Sequence, residues 1–148
     1  MNTLILAATA LEPGMASLKT WMIISIFLYA GGGLSFLFGQ NLLLANLNRV
    51  SERLFKDRFP LLPLSTEKFW LVLTNSMMLM LVVICVFVAV NPERFYLMVV
   101  IILFSKAAST AQYLYHFFTD KKYFAYLVGA LTDGPLFLIT LFFFIRAC

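Results

Sequence analysis

Four long apolar runs, each closed by a short polar break, set the pattern of this chain: about Trp21 to Leu43, Phe69 to Val90, Phe95 to Phe118 and Tyr123 to Ile145. Each is near the roughly 20 residues a helix needs to cross the hydrocarbon core of a bilayer. The breaks carry helix-end chemistry. Asn91-Pro92-Glu93-Arg94 supplies a capping side chain, a proline suited to the first helical position and an acid in the first turn. Thr119-Asp120-Lys121-Lys122 makes a second tight connection, with Asp120 expected to cap the fourth helix, and Ser65-Thr66-Glu67 opens the second helix in the same way. The pattern predicts an all-α, polytopic membrane protein, an antiparallel up-and-down bundle of four transmembrane helices forming one domain over 1–148. Trp21 and Trp70 fall where an interfacial aromatic belt is expected.

Two segments lie outside the spans. Met1 to Ser17 is apolar, lacks a basic start and is interrupted by Glu12-Pro13-Gly14, so it reads as a peripheral or surface-lying arm or a disordered end, and not as a secretory signal. In the long loop 48–68, the apolar positions Leu43, Leu47, Val50 and Leu54 recur at helical spacing while Arg49, Glu52, Arg53 and Lys56 take other faces. Helix 1 is therefore expected to continue as an amphipathic cytoplasmic extension, ended by Phe59-Pro60-Leu61-Leu62-Pro63-Leu64.

Composition fixes the solvent. With 62% hydrophobic and 12% charged residues in 148, the chain has more apolar surface than a soluble domain of that size can hide. Lipid is the first expected partner, and the spans leave no room for a soluble catalytic domain. Arg49, Arg53, Lys56, Arg58, Lys68, Lys121 and Lys122 lie on one side against Lys19, Arg94 and Arg146 on the other, which puts the basic loops in the cytoplasm and both termini outside. The basic loop suits anionic lipid, a docking partner or an ordinary positive-inside connector. Glu52, Asp57 and Glu67 keep its net charge modest, and nothing supports a nucleic-acid role.

Against this background two residues stand out. Lys106 and Asp133 sit alone in the middle of the third and fourth spans, and an ionisable group at mid-bilayer is a functional-site hypothesis with its partner to be named. At about 1.5 Å of rise per residue, Lys106 lies about 16 Å and Asp133 about 18 Å from the outer ends of their helices, so the two are level. Gly31, Gly32 and Gly33 fall about 15 Å down helix 1, with Met78 and Met80 at the same level in helix 2. The glycines would form a groove for a close backbone or a bulky ligand. Gly134 and Pro135 would kink helix 4 beside Asp133 and free a carbonyl. A polar stripe of Ser105 or Lys106, Ser109, Gln112 or Tyr113, and His116 runs toward the cytoplasm. Asn75 of helix 2 lies about 9 Å from the cytoplasmic boundary, close to Gln112 in depth, and completes a polar cleft with Tyr126 and Gly129. The Lys106–Asp133 pair reads either as glue between helices or as a working gate.

Other chemistry is thinner. Cys85 and Cys148 form no redox or ligand motif, and Cys85 reads as a packing residue. A single histidine supports no bis-histidine haem or histidine metal centre, so no metal and no cofactor is expected. A Ser109–Lys106 hydrolase pair has no oxyanion donors to go with it. The glycine-rich first helix together with Ser105-Lys106-Ala107-Ala108-Ser109 and Asp133-Gly134-Pro135-Leu136-Phe137 resembles the DoxX-like group of small bacterial membrane proteins. That resemblance implies a four-helix bundle in a bacterial inner membrane, often an accessory or quinone-linked redox subunit. Three functions follow: a non-enzymatic accessory or structural subunit that docks other membrane subunits or copies of itself; a proton-sensitive carrier or binder of a lipophilic small molecule; and a quinone-handling component using His116, Tyr113 and Lys106. The first is the expected one.

Overall fold

A computed structural model of the chain describes residues 12–56, 58–64, 68–120 and 122–148, with the backbone alone for 68–70. It is all-helical over the described residues: α1 (Pro13–Phe55), α2 (Lys68–Val90), a short α3 (Pro92–Phe95) that passes through a single 3-10 turn (Tyr96–Met98) into α4 (Val99–Thr119), and α5 (Phe124–Ala147). Four segments are long and apolar enough to cross a membrane: α1, Leu71–Val90, Pro92–Thr119 and α5.

Local chemistry explains most of the boundaries. Asn91 accepts from the Arg94 amide at 3.1 Å and Pro92 opens the helix, as the sequence predicts. Asp120 does otherwise. It ends α4 and pairs with His116, while α5 starts after Tyr123 without a side-chain cap. Glu12-Pro13-Gly14 is a helix start and not an interruption, with Pro13 in the first turn, where its missing N–H costs nothing. Thus α1 begins eight residues or so before the expected span, by the numbering, and includes residues 13–17 of the expected arm; residues 1–11 and Ser65-Thr66-Glu67 lie outside the described residues.

The core follows one stripe from each helix. Leu18, Met22, Ser25, Tyr29 and Gly33 of α1 recur at three- and four-residue steps, as do Leu81, Ile84, Cys85 and Val88 of α2 and Val99, Ile102, Leu103 and Lys106 of α4. These buried residues gather at one end, where the start of α1 meets the ends of α2 and α5. Trp21 is part of this core, not of an outward aromatic belt: its indole N–H donates to Thr140 Oγ1 at 2.9 Å and its ring stacks on Phe143. A buried indole N–H needs an acceptor, and Thr140, fully buried, supplies one. Toward the opposite end the burial thins to Gly33, Ser51 and Ala130 among the described residues.

The length of α1 forces a bend. Trp21 meets Thr140, and Phe55 meets Phe124 with ring centroids 5.3 Å apart. From Thr140 back to Phe124 is about 24 Å of helix, whereas Trp21 to Phe55 is about 51 Å. A straight α1 would overshoot. The chain leaves helical geometry at Gly39 (φ −132°, ψ 21°), level with the turn between α4 and α5, and the rest of α1 turns aside there. Its far end is held by Asn48, whose side chain donates to the Leu62 carbonyl and accepts from the Leu62 amide at 2.8 and 3.0 Å. Phe55, Phe59, Phe117 and Phe124 close the corner as one aromatic cluster. Pro135, where the sequence suggests a kink, lies inside the continuous helix α5.

Between helices in lipid, close packing takes the place of the hydrophobic drive. Gly14 is the tightest such point, because a methyl there would overlap the Arg146 carbonyl of α5. Gly14→Ala is expected to destabilise the fold by about 1–3 kcal/mol, read as a lower midpoint of thermal unfolding in detergent. Gly31→Ala, at a position with nothing within 4 Å of a new methyl, is expected to hold or raise that midpoint, since alanine is the better helix former.

Candidate functional site

Lys106 continues the buried stripe of α4, and at 4% exposure it lies at the lower edge of the core. A charge in that position needs every interaction it can find. Its Nζ donates to Asp133 Oδ1 of α5 at 2.9 Å, with the two side chains 5% and 15% exposed. It also lies 5.0 Å from the centroid of the Tyr29 ring on α1, within cation–π range. Asp133 is held a second time: the Ser109 hydroxyl donates to Oδ2, so both carboxylate oxygens are taken up by α4. The Lys106 carbonyl in turn accepts from Thr110 Oγ1 at 2.7 Å. The arrangement is a compact charge clamp with both carboxylate oxygens hydrogen-bonded.

The remaining sequence candidates divide between two helix pairs. On the α4–α5 side the stripe runs Lys106, Ser109, Tyr113, His116. The Tyr113 ring lies against Gly129, where a methyl would come within 2.7 Å of it, and stands 6.5 Å from the Tyr126 ring. His116 is exposed, joined to Asp120 and 5.9 Å from the Tyr126 ring. Gln112 is exposed on α4 and lies off this line, because the step of four from Ser109 selects Tyr113. Asn75 belongs to the other pair. Its Oδ1 and the Met78 side chain lie against Gly33, 3.4 and 3.3 Å from where a methyl would be. Asn75 thus lies in the seam between α1 and α2, while the stripe of α4 meets α5 at Asp133 and Gly129.

The glycines likewise separate. Gly33 is buried and lets α1 and α2 approach, while Gly31 and Gly32 face open space. At the depth of the charge clamp the α1 residue is Tyr29, one turn before Gly33, and the sequence reading passed over it. Its signal was available: Tyr29 continues the four- and seven-residue spacing of Met22 and Ser25. Met78 packs at the core edge, and Met80 is exposed. Gly134 lies beside the Thr110 methyl, 3.6 Å from where its own methyl would be. Cys85 is fully buried next to this layer. Among the described residues no three His, Cys, Asp or Glu side chains converge as a metal site would require.

Among the described residues, the Tyr29 hydroxyl is the buried side-chain group left without a hydrogen-bond partner, and it lies within electrostatic reach of Asp133 and Cys85. No protein-family model matches this chain, and no curated protein or solved structure matches it either.

Ser109 and Tyr29 should respond oppositely to loss of a hydroxyl. Ser109→Ala is expected to cost about 1.5–3 kcal/mol, the range for a hydrogen bond to a charged group. Tyr29→Phe is expected to unfold no earlier than wild type, because it removes a buried hydroxyl that has no partner. Thermal melts of the two variants in the same detergent check the contrast.

Proposed function

We propose that the protein is a non-enzymatic accessory or structural subunit of a membrane complex, with Lys106 and Asp133 as its internal clamp. The observation that carries this reading is how the pair is held: each carboxylate oxygen has a donor from α4, and the ammonium lies over the Tyr29 ring. A gate needs a charge free to change partners, and both oxygens of this carboxylate are already engaged. Large side chains meanwhile face outward along the spans, including Phe27, Phe38, Phe104 and Phe118 at 70% exposure or more. Such surface suits lipid and neighbouring subunits or further copies of the chain.

In this reading the four helices cross an inner membrane of the bacterial kind, up and down and antiparallel, with both termini outside. The contact of Trp21 with Thr140 supports the opposed directions of α1 and α5. The bend at Gly39 supports an amphipathic cytoplasmic extension after the first span, and the excess of basic residues in the loops sets the orientation. The resemblance to the DoxX-like group is in keeping with the same assignment. A second reading, a carrier or binder of a lipophilic molecule, is favoured by one observation, the partnerless Tyr29 hydroxyl beside the pair.

Charge-removal variants separate the two. Lys106→Met or Asp133→Leu alone is expected to destabilise by about 3–5 kcal/mol, because each strands a buried charge. The double substitution should recover most of that loss and, in mildly solubilised membranes, migrate on a native gel in the same complex as wild type. A double variant as unstable as the single ones sinks the clamp. Wild type migrating as a free single chain sinks the subunit reading, and a stable double variant that has lost a bound lipophile would favour the carrier.

A further inference from the structure

The bend at Gly39 leaves an open depression on the outer side of α1. Its volume is about 420 Å³, and Leu34, Phe38, Gly39, Leu42, Leu43 and Asn46 line it. Nothing stands within 4 Å of where a Gly39 methyl would be, and Phe38 and Leu42 are 83% and 68% exposed. The lining runs from Leu34 to Asn46 across the bend and is mostly apolar, as an acyl chain requires.

Charge begins where the apolar lining ends. Positions 42, 46, 49 and 53 follow one another at steps of four, three and four, so Arg49 and Arg53 continue the stripe of Leu42 and Asn46 along the same face. By helical rise they stand about 4.5 and 10 Å beyond Asn46. Both are exposed. The opposite face of this segment is already occupied, since Asn48 holds Leu62, Ser51 is buried and Phe55 enters the aromatic corner. The outer face, apolar first and cationic after, is therefore the one left for an external ligand.

We infer that this face binds an anionic phospholipid, its acyl chain in the depression at Gly39 and its phosphate on the Arg49 and Arg53 guanidiniums. Arginine suits the task, because its planar fork offers paired donors to phosphate oxygens. A zwitterionic headgroup brings its own cation to the same place and gains less. The inference rests on the proposed cytoplasmic position of the extension, where anionic headgroups are found.

Native mass spectrometry of the full chain in detergent, with phosphatidylglycerol or phosphatidylcholine of the same acyl composition added, tests it. Wild type is expected to retain phosphatidylglycerol at least threefold better. The Arg49→Gln/Arg53→Gln variant should lose that preference, while Arg58→Gln, which neutralises an exposed charge beyond the stripe, should keep it. Leu42→Asn should weaken retention of both lipids. Equal loss in Arg58→Gln and in the double variant, with unchanged melting temperatures, would mean diffuse charge attraction and overturn the site; so would a wild type without preference. Labelling of an Arg58→Cys variant, made in a Cys148→Ser background, by an impermeant maleimide in sealed vesicles of known orientation reads the position of the extension separately. A preference for phosphatidylglycerol with label only from outside would leave the site standing and reverse the orientation.

Discussion

A charge buried among apolar helices must be matched at its own depth, and Lys106 sets that requirement for its neighbours. The match fixes α5 against α4 in both height and rotation, because a shift by one residue would carry Asp133 about 100° around its helix and away from Nζ. Ser109 narrows the choice further by holding the second oxygen. Tyr29 then ties α1 into the same layer through its ring face. Three of the four long helices are thereby set in register by one ammonium group. Energy is the lesser part of what the pair contributes, since a buried ion pair often does no better than well-packed apolar side chains. What it supplies is a single arrangement.

Above and below that layer the packing differs in kind. Toward the chain ends the helices interlock around Leu18, Met22, Val88, Val99 and Ile102, all without measurable exposure. Toward the loops the contacts are seams, Gly33 on Met78 in one and Gly129 on Tyr113 in the other. α2 and α4 touch only sparingly. The looser half is closed from below by the aromatic corner of Phe55, Phe59, Phe117 and Phe124. The bend at Gly39 makes that closure geometrically possible.

Much of this was legible in the sequence, for identifiable reasons. Apolar runs of spanning length and the Asn91-Pro92 cap depend on local chemistry, and both appear, although the first helix already starts at Pro13. The meeting of Lys106 and Asp133 could be anticipated because two isolated charges on adjacent helices have few other solutions. Trp21 was misjudged because position near a span end says nothing about which way a ring points; Thr140, its partner, is far away in sequence. Asp120 offered equally good chemistry to two helix ends, and the nearer histidine won. The triple glycine drew attention to Gly31 and Gly32, where a methyl would meet nothing within 4 Å, while the isolated Gly14 and Gly129 carry tight contacts. Close approach is a property of the partner surface, so a glycine's neighbours in sequence do not report it.

The distance in sequence between partners has a consequence for assembly. Trp21 and Thr140 are 119 residues apart, whereas Lys106 and Asp133 are 27 apart. During synthesis both the ion pair and the seat of α1 can therefore form only once α5 is made, and Thr140 follows Asp133 within that helix. In a bilayer, an α4 inserted ahead of α5 would hold an ammonium with no carboxylate to meet it. The two helices are thus best delivered to the membrane together, as a hairpin already neutralised within itself, on which α1 then finds its seat.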